Sequence, residues 1–144
     1  MKKRRKNNNK GFTLVELMVV AVIVAILAAV AIPVMTAQKK RAMSTEAEAA
    51  MGMVRSVLRA QLAETGSYIK DINGNALATG DKASKLPTIS TNDLNGRYFN
   101  DANYILDNMA QNTYTIKATG DGTSEVANVV IKLNESGVFT RTGL

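Results

Sequence analysis

The chain has 144 residues, enough for one small domain and an appendage, and it contains neither cysteine nor histidine. This composition excludes a disulfide framework, a histidine or cysteine metal site, a cysteine nucleophile and a histidine general base. The formal net charge is +6, but six of the 18 basic residues lie in the first eleven positions, and the twelve that remain equal the twelve acidic residues in number. The excess charge is therefore a terminal tag, and no nucleic-acid-binding surface is predicted.

A long apolar stretch follows this basic leader. Residues 17–38 include no charged side chain, and a helix of these 22 residues extends over about 33 Å, enough to cross a bilayer core of about 30 Å. The stretch is apolar on all sides, so it needs lipid or other protein around it. Pro33 lies near its end and is expected to kink the helix, because proline has no backbone N–H to donate.

The basic residues on the two sides of the apolar stretch predict its orientation. Six lie before it, and three, Lys39, Lys40 and Arg41, directly follow it. Because the more basic flank of a membrane segment is retained in the cytoplasm, the N-terminus is predicted to be cytoplasmic and the rest of the chain to lie beyond the membrane.

The next segment has the pattern of an amphipathic helix. Its apolar residues recur at spacings of three and four, which places them on one face. They are Met43, Ala47, Ala50, Met51, Val54, Leu58 and Leu62. Gly66, directly after Thr65, predicts the end of the helix. Residues 36–65 are therefore expected to continue the helix of residues 12–35, with one face covered by a folded head.

Residues 66–144 are predicted to form that head. The region 67–112 is rich in Asn, Asp, Gly and Ser and is interpreted as loop, whereas residues 113–118, 126–133 and 138–142 have the composition of strands. A sheet this small needs a helix across one face, and the apolar stripe is available. The expected fold class is α+β: a long N-terminal helix packed on a small, three-stranded antiparallel sheet.

Two acidic patterns in the head are candidate calcium sites. Asp71, Asn73 and Asn75 occupy alternate positions, but the segment lacks the sixth-position glycine and twelfth-position glutamate of a calcium loop, which favours a turn. Asp121 and Glu125 fit a solvated hairpin loop better than a metal site. No metal and no cofactor are predicted, and the aromatic residues of the head are assigned to its core.

Residues 10–17, with the sequence KGFTLVEL, provide the most specific signal. A short basic leader ending in glycine, then Phe-Thr-Leu-Val-Glu and about twenty apolar residues, resembles the processing site of type IV prepilins and type II secretion pseudopilins. Pro33 matches a proline common in the N-terminal helix of that family. The C-terminal disulfide frequent in the family cannot form here, because the chain has no cysteine.

The resemblance implies a maturation pathway and a set of partners. A prepilin peptidase cleaves between Gly11 and Phe12, removing the leader of residues 1–11, and the new N-terminal Phe12 is N-methylated. The expected partners are identical or related pilin subunits, the prepilin peptidase/methyltransferase, an inner-membrane assembly platform, and membrane lipid before assembly. The expected location is the inner membrane with a single span, and then an extracellular pilus.

Glu16, the fifth residue after the predicted cleavage site, has three interpretations. The resemblance implies that it pairs with the amino group of Phe12 on a neighbouring subunit, in a low-dielectric filament core. An intrachain pair one turn away stays open, as does a first-turn acid favoured by the helix dipole at the lipid interface.

Several other functions stay open at the level of sequence. A pseudopilin of a type II secretion system shares the leader and helix and assembles into a periplasmic pseudopilus. A secreted protein with an ordinary signal peptide would be cleaved after Ala29-Val30-Ala31, before Ile32. A single-pass anchored module would not be cleaved at Gly11. We find no pattern of catalytic residues, so an enzyme is not predicted.

Overall fold

The computed structural model describes residues 11–122 and 125–144. The chain divides into two compact units, with the boundary between Thr36 and Ala37. Helix α1 (Leu14–Thr65, 52 residues) begins in the first unit and ends in the second. Residues 1–10 of the predicted leader lie outside the described residues.

The first unit presents an apolar helical surface. Its large apolar side chains, from Phe12 to Met35, are all at least half exposed, and none belongs to the core cluster of the described residues. By length and composition, α1 is long and apolar enough to cross a membrane. The helix continues through Pro33, whose carbonyl accepts a hydrogen bond of 2.9 Å from the Thr36 hydroxyl. The predicted kink at Pro33 stays a prediction.

The second unit begins with the amphipathic part of α1. The predicted stripe is buried at Met43, Ala47, Met51, Val54 and Leu58, while Ala50 and Leu62 are partly buried at its edge. The helix ends at Thr65, as expected, and Gly66 follows with a φ of 72°, a left-handed conformation that glycine adopts without strain. The Gly66 N–H donates to the carbonyl of Leu62 at 2.8 Å, which completes the last turn.

The sheet of the second unit is a four-stranded antiparallel meander. Its strands are β1 (Tyr104–Asp107), β2 (Thr115–Thr119), β3 (Val130–Asn134) and β4 (Phe139–Thr142), in the order β1-β2-β3-β4. The register aligns Leu106 with Ile116, and Ile116 with Leu133. These three side chains are buried with the helix stripe in one hydrophobic cluster. The α+β class, with a long helix and a small antiparallel sheet, is therefore confirmed.

The prediction of three strands was wrong, because β1 lies inside the region interpreted as loop. Its sequence, YILD, does not alternate between apolar and polar residues, and the Asn and Asp residues around it are typical of loops. The same region contains two short 3-10 helices, Ala83–Lys85 and Asp101–Asn103. The strand predicted over residues 126–133 starts later, at Val130, because a turn at residues 125–128 precedes it.

The aromatic side chains of the second unit lie mainly in its core, as predicted. Phe99, Tyr104 and Tyr114 are fully buried, and Tyr68 is nearly so. The rings of Tyr68 and Tyr114 meet edge to face, with their centroids 4.6 Å apart. Burial raises the pKa of Tyr114 to about 12, with a smaller contribution from Tyr68, so this hydroxyl stays protonated at neutral pH.

Candidate functional site

The start of α1 is closed by a reciprocal pair of hydrogen bonds between Thr13 and Glu16. The Thr13 hydroxyl oxygen accepts from the backbone N–H of Glu16 at 3.2 Å, and the Glu16 carboxylate accepts from the backbone N–H of Thr13 at 2.9 Å. The Thr13 hydroxyl also lies 2.9 Å from the same carboxylate oxygen, to which it can donate. Together with the bond from Leu17 N–H to the Thr13 carbonyl, this arrangement is a capping box with Thr13 as the N-cap.

The capping box gives Glu16 a partner within its own chain. Its carboxylate accepts from the N-cap amide of Thr13 and lies at the positive end of the helix dipole. The side chain remains exposed, so it stays accessible to a further partner. The first-turn interpretation of Glu16 thus has a specific geometry, and pairing with Phe12 stays a prediction.

Thr13 is a helix-capping residue that the sequence reasoning missed. The signal was present, because Thr13-Leu14-Val15-Glu16 has the spacing of a capping box before an apolar run.

Gly11 lies outside α1 and is exposed. A Cβ atom built at Gly11 would meet no atom within 4 Å, and its φ is not in the left-handed region. Nothing in the fold of the described residues therefore requires glycine at this position. The neighbouring Phe12 side chain is 82% exposed, so both residues that flank the predicted scissile bond are accessible to an enzyme.

Comparison with known protein families identifies this same segment. Residues 6–32 match a family described as "Prokaryotic N-terminal methylation motif". The N-terminal segment of the chain therefore carries this motif. The match confirms the resemblance that residues 10–17 indicated, and it includes Gly11, Phe12, Thr13 and Glu16. Cleavage at Gly11, methylation of Phe12 and the role of Glu16 stay predictions.

Comparisons over the whole chain are less informative. No curated protein sequence matches the chain. Among solved structures, it is similar to the non-core minor pilin PilV of Neisseria meningitidis, with a TM-score of 0.49 and 16% sequence identity. That similarity covers 74% of this chain and 90% of the PilV chain.

The two acidic patterns of the head are held by protein contacts. The Asp71 carboxylate accepts from the backbone N–H groups of Asn73 and Asn75 at 2.9 and 2.7 Å, which forms the predicted turn. Glu125 instead forms an ion pair with Lys39 of α1, with 2.5 Å between the Lys39 Nζ and the carboxylate.

A second carboxylate–amide site links α1 to the loop before β1. The Glu46 carboxylate accepts hydrogen bonds from the backbone N–H groups of Arg97, Tyr98 and Phe99, each at 2.9 Å. Burial alone raises the pKa of Glu46, but these donors and the positive charge of Arg97 lower it to below its usual value. We call this contact the Glu46 latch.

Proposed function

We propose that this chain is a structural subunit of a type IV pilus-like filament. It is inserted into the inner membrane as a prepilin with a cytoplasmic N-terminus, cleaved after Gly11 and N-methylated at Phe12. It then polymerises through its N-terminal helix and leaves the membrane for the cell surface.

The observation that carries the proposal is that the methylation motif lies on an exposed apolar helix. Residues 6–32 match the motif, and the large apolar side chains from Phe12 to Met35 are all at least half exposed. A surface of this size needs lipid or protein around it. Lipid provides the cover before assembly, and the helices of other subunits provide it in the filament. Apolar packing suits both environments.

Cleavage supplies the charge that assembly needs. Hydrolysis of the Gly11–Phe12 bond leaves an α-amino group on Phe12, which is protonated near neutral pH and stays basic after methylation. The exposed Glu16 carboxylate of an incoming subunit can pair with this ammonium group on a neighbour. In the low-dielectric core of a filament such a pair is stronger than it is in water.

The test is the chemical identity of the mature N-terminus in surface and membrane fractions of the native cells. We expect mass spectrometry to find a chain that begins with N-methylated Phe12 and is abundant in filaments sheared from the surface. A processed chain confined to the periplasm would establish a pseudopilin. An intact Met1 would contradict the proposal in favour of an unprocessed anchor, and a terminus at Ile32 in favour of a secreted protein.

A substitution at the cleavage site provides a matched control. Gly11→Val is expected to abolish processing, because a branched side chain obstructs entry of the scissile bond into a peptidase. The head should be unaffected, since the position contacts nothing in the described chain. Normal cleavage of this variant would contradict processing at Gly11.

A further inference from the structure

The second unit has a mainly apolar groove on one flank of α1. Its volume is about 280 Å³. One wall is formed by α1, and the other by the segment between α1 and β1. The lining residues are Ser56, Val57, Ala60, Gln61, Glu64, Ile72, Pro87 and Thr88. Ile72 is 47% exposed although it is large and apolar, so the groove is incompletely filled by its own chain.

Glu64 is the charged residue of this groove. Its side chain is exposed, and it forms no hydrogen bond or ion pair within residues 11–122 and 125–144. An occupant of matching chemistry therefore combines a small apolar side chain for the groove with a nearby positive charge for Glu64.

The opposite flank of α1 presents these two features. Val138, at the end of the turn between β3 and β4, is 59% exposed. Arg55 holds this turn against α1, because its Nη2 donates to the Glu135 carbonyl at 3.3 Å. Arg59 lies four residues further along α1, and therefore on the same face as Arg55, with its side chain exposed.

The apolar surface of the second unit is thus divided between the two flanks. Its exposed large apolar side chains in the described residues are Met53, Ile72 and Val138. Ile72 lines the groove, whereas Val138 projects from the turn that contacts the other flank. Two different patches that fit each other make a heterologous contact, which repeats from copy to copy and produces a filament when it does not close into a ring.

One displacement of a second copy along the axis of α1 aligns both its apolar and its charged contact with the groove. Moving a second copy by five helical residues, about 7.5 Å, brings its Arg59 level with Glu64. After the same displacement its Arg55, which binds the β3–β4 turn, lies level with Ala60 in the middle of the groove. The apolar and the charged contacts are therefore compatible with the same shift.

We propose that the groove binds the β3–β4 turn of a second copy of this chain, with the second copy's Val138 in the groove and its Arg59 paired with Glu64. The proposal rests on the proposed function, since it describes a contact between heads of adjacent filament subunits. It assigns a specific partner surface to residues outside the methylation motif.

Disulfide trapping tests the apolar contact directly, because the chain has no cysteine of its own. Filaments of the full chain with Ile72→Cys and Val138→Cys are expected to give a ladder of covalent oligomers on a non-reducing gel, which reduction collapses. The control combines Ile72→Cys with Lys132→Cys, an exposed position on β3. Filaments without a ladder, or an equal ladder in the control, would overturn the proposal.

Charge reversal tests the ionic contact. Glu64→Arg and Arg59→Glu are each expected to reduce the yield of filaments, and the double variant is expected to restore it, because the pair is reversed rather than lost. A double variant as defective as the single variants would contradict the pairing, as would normal filaments from either one. If the unaltered chain is neither processed at Gly11 nor assembled, the proposed function fails first and the head contact fails with it.

Discussion

Glu16 has one partner in the single chain and another in the proposed filament. In the single chain its carboxylate completes a capping box with Thr13, a role that an uncharged glutamine also performs in such boxes. The contact proposed for the filament is ionic, and an amide does not form an ion pair. The two roles can therefore be separated by substitutions that remove the charge and the cap independently.

We expect Glu16→Gln to keep the helix cap and to prevent filament formation, because the amide accepts a hydrogen bond but does not pair with an ammonium group. Thr13→Ala keeps the charge and weakens the cap, so filaments should still form. Membrane insertion and cleavage should continue in both variants. Electron microscopy of sheared fractions and mass spectrometry of the N-terminus measure these outcomes. Abundant filaments from Glu16→Gln would show that capping is the only role of Glu16.

In the head, the Glu46 carboxylate accepts hydrogen bonds from backbone N–H groups, as Glu16 does at the start of α1. It fixes three consecutive backbone donors that lie 51 to 53 residues away in sequence. Its pKa is lowered in the folded chain, so the carboxylate stabilises the fold at a pH above the unfolded pKa of about 4.3. This stabilisation is lost as the pH falls through the lowered pKa of the folded state.

Glu46→Gln is expected to lower the stability of the head at pH 7 by about 1 to 3 kcal/mol, because three charge-assisted hydrogen bonds are weakened. The difference from the unaltered chain should shrink below about pH 4, where Glu46 itself becomes protonated. Unfolding of the full chain in detergent can be followed by the near-ultraviolet signal of its tyrosines at several pH values. A difference that does not depend on pH would exclude a contribution from the charge.

At the scale of elements, the long helix was predictable and the loop before the sheet was not. The spacing of Met43, Ala47 and Val54 identified the buried face of α1, and Gly66 identified its end, because each is a local pattern with a direct structural meaning. The apolar segment was equally clear from its length and composition. The same local reasoning contained the capping box, although that was not recognised.

What could not be predicted depends on contacts between distant residues. Strand β1 lacks an alternating pattern of apolar and polar residues and is formed by pairing with β2. The Glu46 latch joins a side chain to backbone N–H groups. Every residue except proline has such a group, so the sequence does not show which ones are bound. The groove requires α1 and two separate loop positions, Ile72 and Pro87, to come together.

Alanine substitution at two glycines of the head is expected to have opposite effects on its stability. Gly52 lies within α1 with open space around it, so Gly52→Ala should stabilise the head by about 0.5 to 1 kcal/mol. A Cβ atom at Gly96 would lie 2.2 Å from the Glu46 Oε1, so Gly96→Ala should displace the carboxylate and break the latch.

The two substitutions serve as controls for each other in thermal unfolding of the full chain. Gly96→Ala should be destabilising by about as much as Glu46→Gln, and combining the two should add little, because both remove the same contact. Additive effects of these two substitutions would show that Gly96 has a separate role. If Gly52→Ala were destabilising, another group would have to pack closely against the exposed face of α1 at this position.

The two units of the chain differ in what their apolar side chains need around them. The core cluster begins at Met43 and contains no residue of the first unit. The second unit also contains its own ion pairs with α1, since Lys39 pairs with Glu125 and Arg141 binds both carboxylate oxygens of Glu48, at 2.5 and 2.9 Å. The first unit has an exposed apolar surface, which needs lipid or other protein around it. One chain thus combines a self-sufficient head with a helix that needs partners.

This division predicts that a chain starting at Ala37 folds without the first unit. It retains the whole core cluster and all of these ion pairs, so we expect its tyrosine signal and melting temperature to match those of the full chain in detergent. It loses the large exposed apolar surface of residues 12–35, so it should remain dispersed in buffer without detergent and should form no filaments. Unfolding or aggregation of this shortened chain would show that the apolar part of α1 stabilises the head as well as anchoring it.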